Sequence, residues 1–259
     1  VTTPIAKDWY FGLGIGALAG FINSMLVLSA GATSMFDALF ITFGMSTVYT
    51  ALALIISGGS THQMRWITRN ISIYDAIGSG TVWIFSVTIL IFFACLALLH
   101  IFQSRTYRGR SIALTGGNKT AARLAGIPVS QTIMLIFTVS GLMAALGGVV
   151  LFSRATQAHP LMGVGYDTNS ILAVVVGGTS LAGGKFSISG TFVGGLLIAT
   201  LNKTVLFLGI PAEATPVCKA TIIIAICLLQ SSRIRALFQR RRSTPAALVR
   251  PAQKEAVSA

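Results

Sequence analysis

Seven stretches of the chain are apolar almost throughout and are separated by short polar punctuation: 10–30, 38–57, 81–103, 128–152, 168–182, 187–207 and 213–231. A helix of about 20 apolar residues crosses a hydrocarbon core about 30 Å thick, so this pattern predicts a bundle of about seven membrane-spanning helices. The fifth run, TNSILAVVVGGTSLA, is short and leads into GGTSLAGG at 177–184. It reads either as a short crossing or as a broken, re-entrant helix held by its neighbours. If it does not cross, the count falls and every later span reverses direction. The expected fold is all-α, a polytopic transmembrane helical bundle over 1–232, followed by a basic, disordered cytoplasmic tail at 233–259.

Composition supports that class. Hydrophobic residues make up 54% of the 259 positions and charged residues 10%, with a mean hydropathy of +0.80. A soluble domain carries about 25% charged residues. The net charge of +13 would suggest nucleic acid in a soluble protein. Here the basic residues separate apolar runs and do not cluster beside a polar surface, which argues against nucleic acid. Their distribution is uneven. One set of alternate loops, with the tail, holds Arg105, Arg108, Arg110, Lys119, Arg123, Lys185, Arg233, Arg235, Arg240, Arg241, Arg242, Arg250 and Lys254, thirteen in all. The other set holds only Lys7, Arg65, Arg69, Arg154, Lys203 and Lys219. Basic residues favour the cytoplasmic side of short loops, so the first set and the C-terminus are expected inside and Val1 outside. Anionic lipid of the inner leaflet is then the counter-charge. The opening VTTPIAKDW has no secretory-signal pattern, and an outside start leads to the expectation that further crossings precede it.

Catalytic chemistry finds no footing. No GxxxxGK[ST] phosphate loop occurs. His62, His100 and His159 have no metal-ligand spacing, and Cys95, Cys218 and Cys227 lack a CxxC pair and read as packing residues. Six carboxylates, with Asp75 and Asp167 read as loop residues, build no Ser, His and acid constellation. We expect no enzyme activity, no metal and no cofactor in this subunit.

Two features remain. Gly12, Gly16 and Gly20 recur every four residues, and Gly141, Gly147 and Gly148 punctuate the fourth run. Small residues at such spacing let helix backbones approach closely in a bilayer. The second feature is the loop at 104–127, SRTYRGRSIALTGGNKTAARLAGI. It reads as a basic opening, a turn at Gly116 and Gly117, an Asn118 cap, and a short helix ended by Gly126 with Pro128 beyond. Such a helix suits a groove on a soluble partner. The competing reading is a solvated loop whose charges only fix orientation.

From 105 to 232 the chain closely resembles the permease subunits of bacterial ABC sugar importers of the ribose, xylose, galactose and galactofuranose type. The ordered motifs are GGN…AA.L.GI, SG..A..GG, AVV.GG.SL.GG and GT..G, with weaker echoes in GALAGFINSMLV (16–27), FITFGM (40–45) and the SGGS turn (57–60). The resemblance implies that the 104–127 loop is the counterpart of the coupling helix that inserts into the ATPase. Its matching positions are Gly116, Gly117, Asn118, Ala121, Ala122, Leu124 and Gly126. It further implies ABC ATPase subunits, a second permease subunit and a periplasmic or lipid-anchored sugar-binding protein as partners, at the bacterial inner membrane. Two departures stand out. Asn169 stands where the family's ELDAI-like pattern has its second acid, Asp167 matching the first, and nothing corresponds to the family's upstream GGIDLSVG-like motif. The latter leads to the expectation of a truncated copy or a gene start placed too late.

Sugar hydroxyls call for a succession of neutral donors and acceptors. Asn23, Thr42, Thr47, Ser140, Asn169, Ser170, Thr191, Thr200 and Asn202 fall in the apolar runs and supply them. Interhelical packing is the alternative role for each. The function expected is a monosaccharide permease subunit driven by a separate ATPase. Rival readings are a permease for branched-chain amino acids or another small solute, and a truncated, non-transporting remnant.

Overall fold

The computed structural model describes residues 5–31, 35–63, 76–82, 85–180, 183, 187–209, 217, 220 and 221. The apolar runs become helices α1 (Ile5–Ser29), α2 (Met35–Ser57), α3 (Val87–Arg105), α6 (Val129–Ala155) and α8 (Ile188–Phe207). These five are long and apolar enough to cross a membrane. Two shorter helices, α4 (Tyr107–Gly117) and α5 (Lys119–Leu124), join α3 to α6, and α7 (Tyr166–Val176) precedes α8. Among the described residues the bundle is all-α apart from two-residue strands: β1 (His62–Gln63) pairs antiparallel with β4 (Gln157–Ala158), and β2 (Thr81–Val82) with β3 (Phe85–Ser86). The third run therefore starts its helix at Val87, with Thr81–Val82 and Phe85–Ser86 paired just before it. The seventh run and the 233–259 tail lie outside the described residues except for 217, 220 and 221.

Packing is organised by two helix pairs. The first is α1 against α6, antiparallel. A Cβ on Gly20 would collide with the Phe137 carbonyl, and one on Gly16 would stand 2.7 Å from the Gly141 carbonyl oxygen and overlap Ala145 Cβ. A Cβ on Gly141 would approach Gly20 Cα to 2.9 Å. Without a hydrophobic driving force between helices in lipid, such backbone proximity is what holds a pair together. Of the glycines singled out from sequence, Gly16, Gly20 and Gly141 make this contact. Gly12 has only an ordinary neighbour in Val149, and Gly147 and Gly148 face open space.

The second pair is α7 against α8. Gly177 and Gly190 each place Cα against the other's carbonyl, and Gly194 sits against the Ala173 carbonyl. Val176 and Ile198 are buried beside this seam, with Leu172 and Ala173 packed on them. Ser187 caps α8, its hydroxyl accepting from Gly190 N–H at 3.0 Å. Rings of Phe92 and Phe93 on α3 lie 5.9 and 6.1 Å from Phe192 on α8. Elsewhere large apolar side chains point outward, among them Phe40, Phe43, Ile55 and Ile56 on α2, as a lipid-facing surface requires.

The contacts at the helix ends fix which loops share a side. The β1–β4 pairing joins the segments that follow α2 and α6. Gly78 abuts the Ser153 carbonyl at the end of α6, and the Thr88 hydroxyl at the start of α3 donates to the Ile77 carbonyl at 2.8 Å. The α4–α5 segment lies at the opposite ends of α3 and α6. Helix α7 has 11 residues, a rise of about 16 Å and roughly half the hydrocarbon thickness. Its continuation nevertheless reaches the α4 side, because Gly183 packs on the Gly116 carbonyl. The fifth run is thus a half-length helix prolonged by irregular backbone.

Candidate coupling surface and translocation path

The 104–127 loop is built as two helices meeting at one residue. Thr106 opens α4, its hydroxyl oxygen accepting from Gly109 N–H at 3.1 Å. Helix α4 runs through Gly117, so Gly116 and Gly117 form its last turn and the chain changes direction at Asn118, where φ is −157°. Asn118 N–H donates to the Leu114 carbonyl at 3.1 Å and closes α4. Its side-chain Oδ1 accepts from Thr120 N–H and Ala121 N–H at 3.0 and 3.1 Å and opens α5. The end of α5 is a Schellman motif: Ile127 N–H donates to the Ala122 carbonyl and Gly126 N–H to the Arg123 carbonyl, both at 3.0 Å. Gly126 has φ +77°, the left-handed conformation this motif needs.

These bonds determine what α5 shows to its surroundings. Ala122 is only 4% exposed and packs with Ile127 and Val129 against Ile133, which fastens the short helix to the foot of α6. Leu124, two residues on, is 86% exposed. Gly116, Gly117, Asn118, Ala121 and Gly126 are exposed with it, as are Arg105, Arg108, Arg110 and Arg123. The surface is therefore one protruding leucine beside exposed small residues, on a segment that also carries exposed arginines. Ala122 supports it from beneath.

The polar residues of the spans fall into two groups. Asn23 on α1 accepts through Oδ1 from the Tyr49 hydroxyl of α2 at 3.3 Å, and the same hydroxyl lies 3.2 Å from the Ala19 carbonyl. Thr42 and Thr47 on α2 donate to their own helix, to the Ala38 and Phe43 carbonyls. In the second group Ser170 donates to Tyr166 O on α7 and Thr191 to Ser187 O on α8. Thr191 also meets the Thr179 hydroxyl at 3.4 Å. Thr200 accepts at its carbonyl from the Thr204 hydroxyl at 2.9 Å. Asn169 is half-buried, and Asn202 is half-buried with its Oδ1 enclosed and unpaired. Ser140 on α6 is exposed. Among the described residues no hydrogen bond joins the two groups. Asp167, read from sequence as a loop residue, lies in the first turn of α7, where a carboxylate suits the helix dipole, and its Oδ1 accepts from Thr168 N–H at 2.8 Å.

Tyr49, Thr179 and Gly183 were not expected. A lone tyrosine in an apolar run carries a mild signal, since a buried hydroxyl seeks a partner. Thr179 and Gly183 sit in the AVV.GG.SL.GG motif, whose spacing tells of turns without naming what they rest on. Charged side chains in the described spans keep to the ends: Asp37, Arg105, Arg154, Asp167 and Lys203. Cys95 is half-buried and unbonded to another cysteine.

The family described as "Branched-chain amino acid transport system / permease component" matches residues 9–227. The ribose import permease protein RbsC of Escherichia coli (strain K12) is 32% identical over 236 residues, covering 88% of this chain and 68% of that protein. The fructose import permease protein FruF of Bifidobacterium longum (strain NCC 2705) is 33% identical, with 91% of this chain and 65% of that protein covered. The autoinducer 2 import system permease protein LsrD of Photorhabdus temperata is 32% identical, with 93% and 73% covered. No solved structure matches. A helical bundle with five membrane-length helices among the described residues and a family match over most of its length establishes that this chain belongs to the branched-chain amino acid transport system permease component family.

Proposed function

We propose that this chain is the transmembrane permease subunit of an ATP-driven ABC importer and forms part of the pathway for a monosaccharide handed over by a binding protein. The observation that carries the reading is the α4–α5 corner. A partner that hydrolyses ATP needs a rigid, protruding handle on the permease, and α5 is fixed at both ends by the Asn118 cap and the Gly126 turn, with Leu124 presented outward. Gly116, Gly117, Asn118, Ala121, Leu124 and Gly126 form the contact, and Ala122 anchors it. The exposed arginines of this segment, and the excess of basic residues in the loops assigned to that side, support a cytoplasmic handle and C-terminus. The cell membrane and its anionic inner leaflet are the setting, and ATP hydrolysis belongs to the partner.

A sugar suits the pathway better than an amino acid. A zwitterion needs compensating charge at membrane depth, and the described spans hold charged side chains only at their ends. Asn23, Thr42, Thr47, Ser140, Asn169, Ser170, Thr191 and Asn202 offer neutral hydrogen-bonding groups. Asn169 and Asn202 are the strongest contacts, because the hydroxyls of Thr42, Ser170 and Thr191 already donate to their own helices. The relatives named for ribose and fructose import point the same way. Two permease subunits, identical or different, complete the pathway, and access alternates by rocking of helix groups.

The test is co-expression with the cognate ABC ATPase. The chain should bring the ATPase through purification, and Leu124→Glu should abolish this while leaving the permease folded. Co-purification that survives Leu124→Glu undiminished would remove the α5 assignment.

A further inference from the structure

The AVV.GG.SL.GG stretch spans the end of α7 and the segment before α8. Its structure is specific. Helix α7 closes in a second Schellman motif, with Thr179 N–H donating to the Val174 carbonyl at 3.2 Å and Gly178 N–H to the Val175 carbonyl at 3.0 Å. Gly178 takes φ +85°. A further turn follows, Gly183 N–H donating to the Ser180 carbonyl at 3.1 Å. Gly183, at φ +89°, rests directly on the Gly116 peptide: a Cβ there would overlap the Gly116 carbonyl oxygen and stand 3.4 Å from its carbon. Gly116 lies in the last turn of α4, two residues before the Asn118 corner that opens α5. At its other end the stretch is tied to α8 through the Thr179–Thr191 hydroxyl contact and the interlocked Gly177, Gly190 and Gly194.

From this we infer that Gly183 is a positioning residue through which movement of the α4–α5 corner is delivered to the α7–α8 hairpin. The inference rests on the proposed coupling role of α5 and extends it inward. A force on α5 passes through the Asn118 corner to the end of α4, where Gly183, on the segment between α7 and α8, rests on the Gly116 peptide. Because α7 and α8 are locked at backbone distance, they respond as one body. Asn169, Ser170, Thr191 and Asn202 ride on that body. The contact at Gly183 is backbone on backbone.

The experiment uses the complete permease with its ATPase in proteoliposomes. Cys95, Cys218 and Cys227 are replaced by serine, and a reporter cysteine is placed at the exposed start of α7 by Tyr166→Cys. Its maleimide labelling rate is compared with ATP and with ADP. With Gly183 intact, ATP should change the rate by about tenfold, within the span of ordinary allosteric coupling. With Gly183→Ala the ATPase should still co-purify and hydrolyse ATP, while the change in labelling falls below about twofold. A chain merely destabilised at this point would lose ATPase binding along with the labelling change. Failure of the ATPase to co-purify with the unaltered chain would strike the proposed function itself. An intact complex whose label ignores ATP, or a Gly183→Ala complex that responds as fully as the parent, would overturn the inference. Should Gly183→Ala not fold, Thr179→Val decides. It removes only the hydroxyl tie to α8 and should cut the response by about threefold, and an undiminished response would again overturn the inference.

Discussion

The two glycine-locked pairs use one chemical device at different places, and the placement separates what they do. In α1–α6, helices of 25 and 27 residues meet along their middles, at Gly16, Gly20 and Gly141. In α7–α8, an 11-residue helix meets a 20-residue one at the end of the first and the start of the second. Contact at mid-length resists tilting in either direction. Contact with the α4 end only at Gly183, at one end of the joined pair, leaves α7 and α8 able to tilt together about that point. The first pair is a fixed frame, and the second is a lever whose fulcrum lies next to the α4–α5 corner.

The sharpest way to break this distinction is to block both seams. Gly20→Leu should be the most damaging change, because a side chain must displace the Phe137 carbonyl in the middle of two long helices. An overpacking cost of about 3 kcal/mol should abolish the monodisperse peak on size-exclusion chromatography in detergent. Gly194→Leu meets the Ala173 carbonyl and, at 2.8 Å, Gly177 N in the shorter seam. The chain should stay folded, with a melting shift equivalent to about 2 kcal/mol and solute uptake lost. Equal damage from the two would erase the contrast between frame and lever.

Smaller changes sharpen it. Leu124→Glu should weaken ATPase binding by at least about 1.5 kcal/mol, read by titration, with the thermal melt moved by less than about 0.5 kcal/mol. Asn118→Ala removes the acceptor for Thr120 and Ala121 N–H and should cost about 1 kcal/mol, read as faster amide exchange confined to α5. Gly147→Ala, on the open face of α6, should instead gain about 0.5–1 kcal/mol in thermal stability, since nothing opposes the added methyl group.

The spans were legible because length and hydropathy act locally: α1, α2, α6 and α8 begin and end within a few residues of their apolar runs. The α5 corner was legible for a similar reason. An asparagine cap and a left-handed glycine are chemical signals carried by single residues, and the hydrogen bonds of Asn118 and Gly126 are the expected ones. What escaped reading is tertiary. Nothing in TYRGRSIALTGG distinguishes a basic loop from helix α4, because its glycines weaken the helix and packing on α3 and α6 with the Thr106 cap restores it. Ala121 and Ala122 look alike in sequence, yet one is exposed and the other is the anchor. The meeting of Gly183 with Gly116 joins positions far apart in the chain, and the choice among Gly16, Gly141 and Gly147 as packing glycines depends on which face turns toward the neighbour. The polar residues proposed for the pathway were found as types, and their division between two helix groups emerges only in three dimensions.

The α1–α6 contact also has a consequence in time. Gly16 and Gly141 are roughly 125 residues apart in the chain, and at a synthesis rate of about 5–20 residues per second the partner surface follows after roughly 6–25 s. For that interval the small-residue face of α1 sits in the membrane without the backbone it is shaped to receive. The closest contact of the frame therefore forms only after its first helix has waited in the membrane. A nascent chain halted before α6 should hold α1 as an exchangeable helix, available to insertion machinery or to membrane proteases, and release from the stall should close that window.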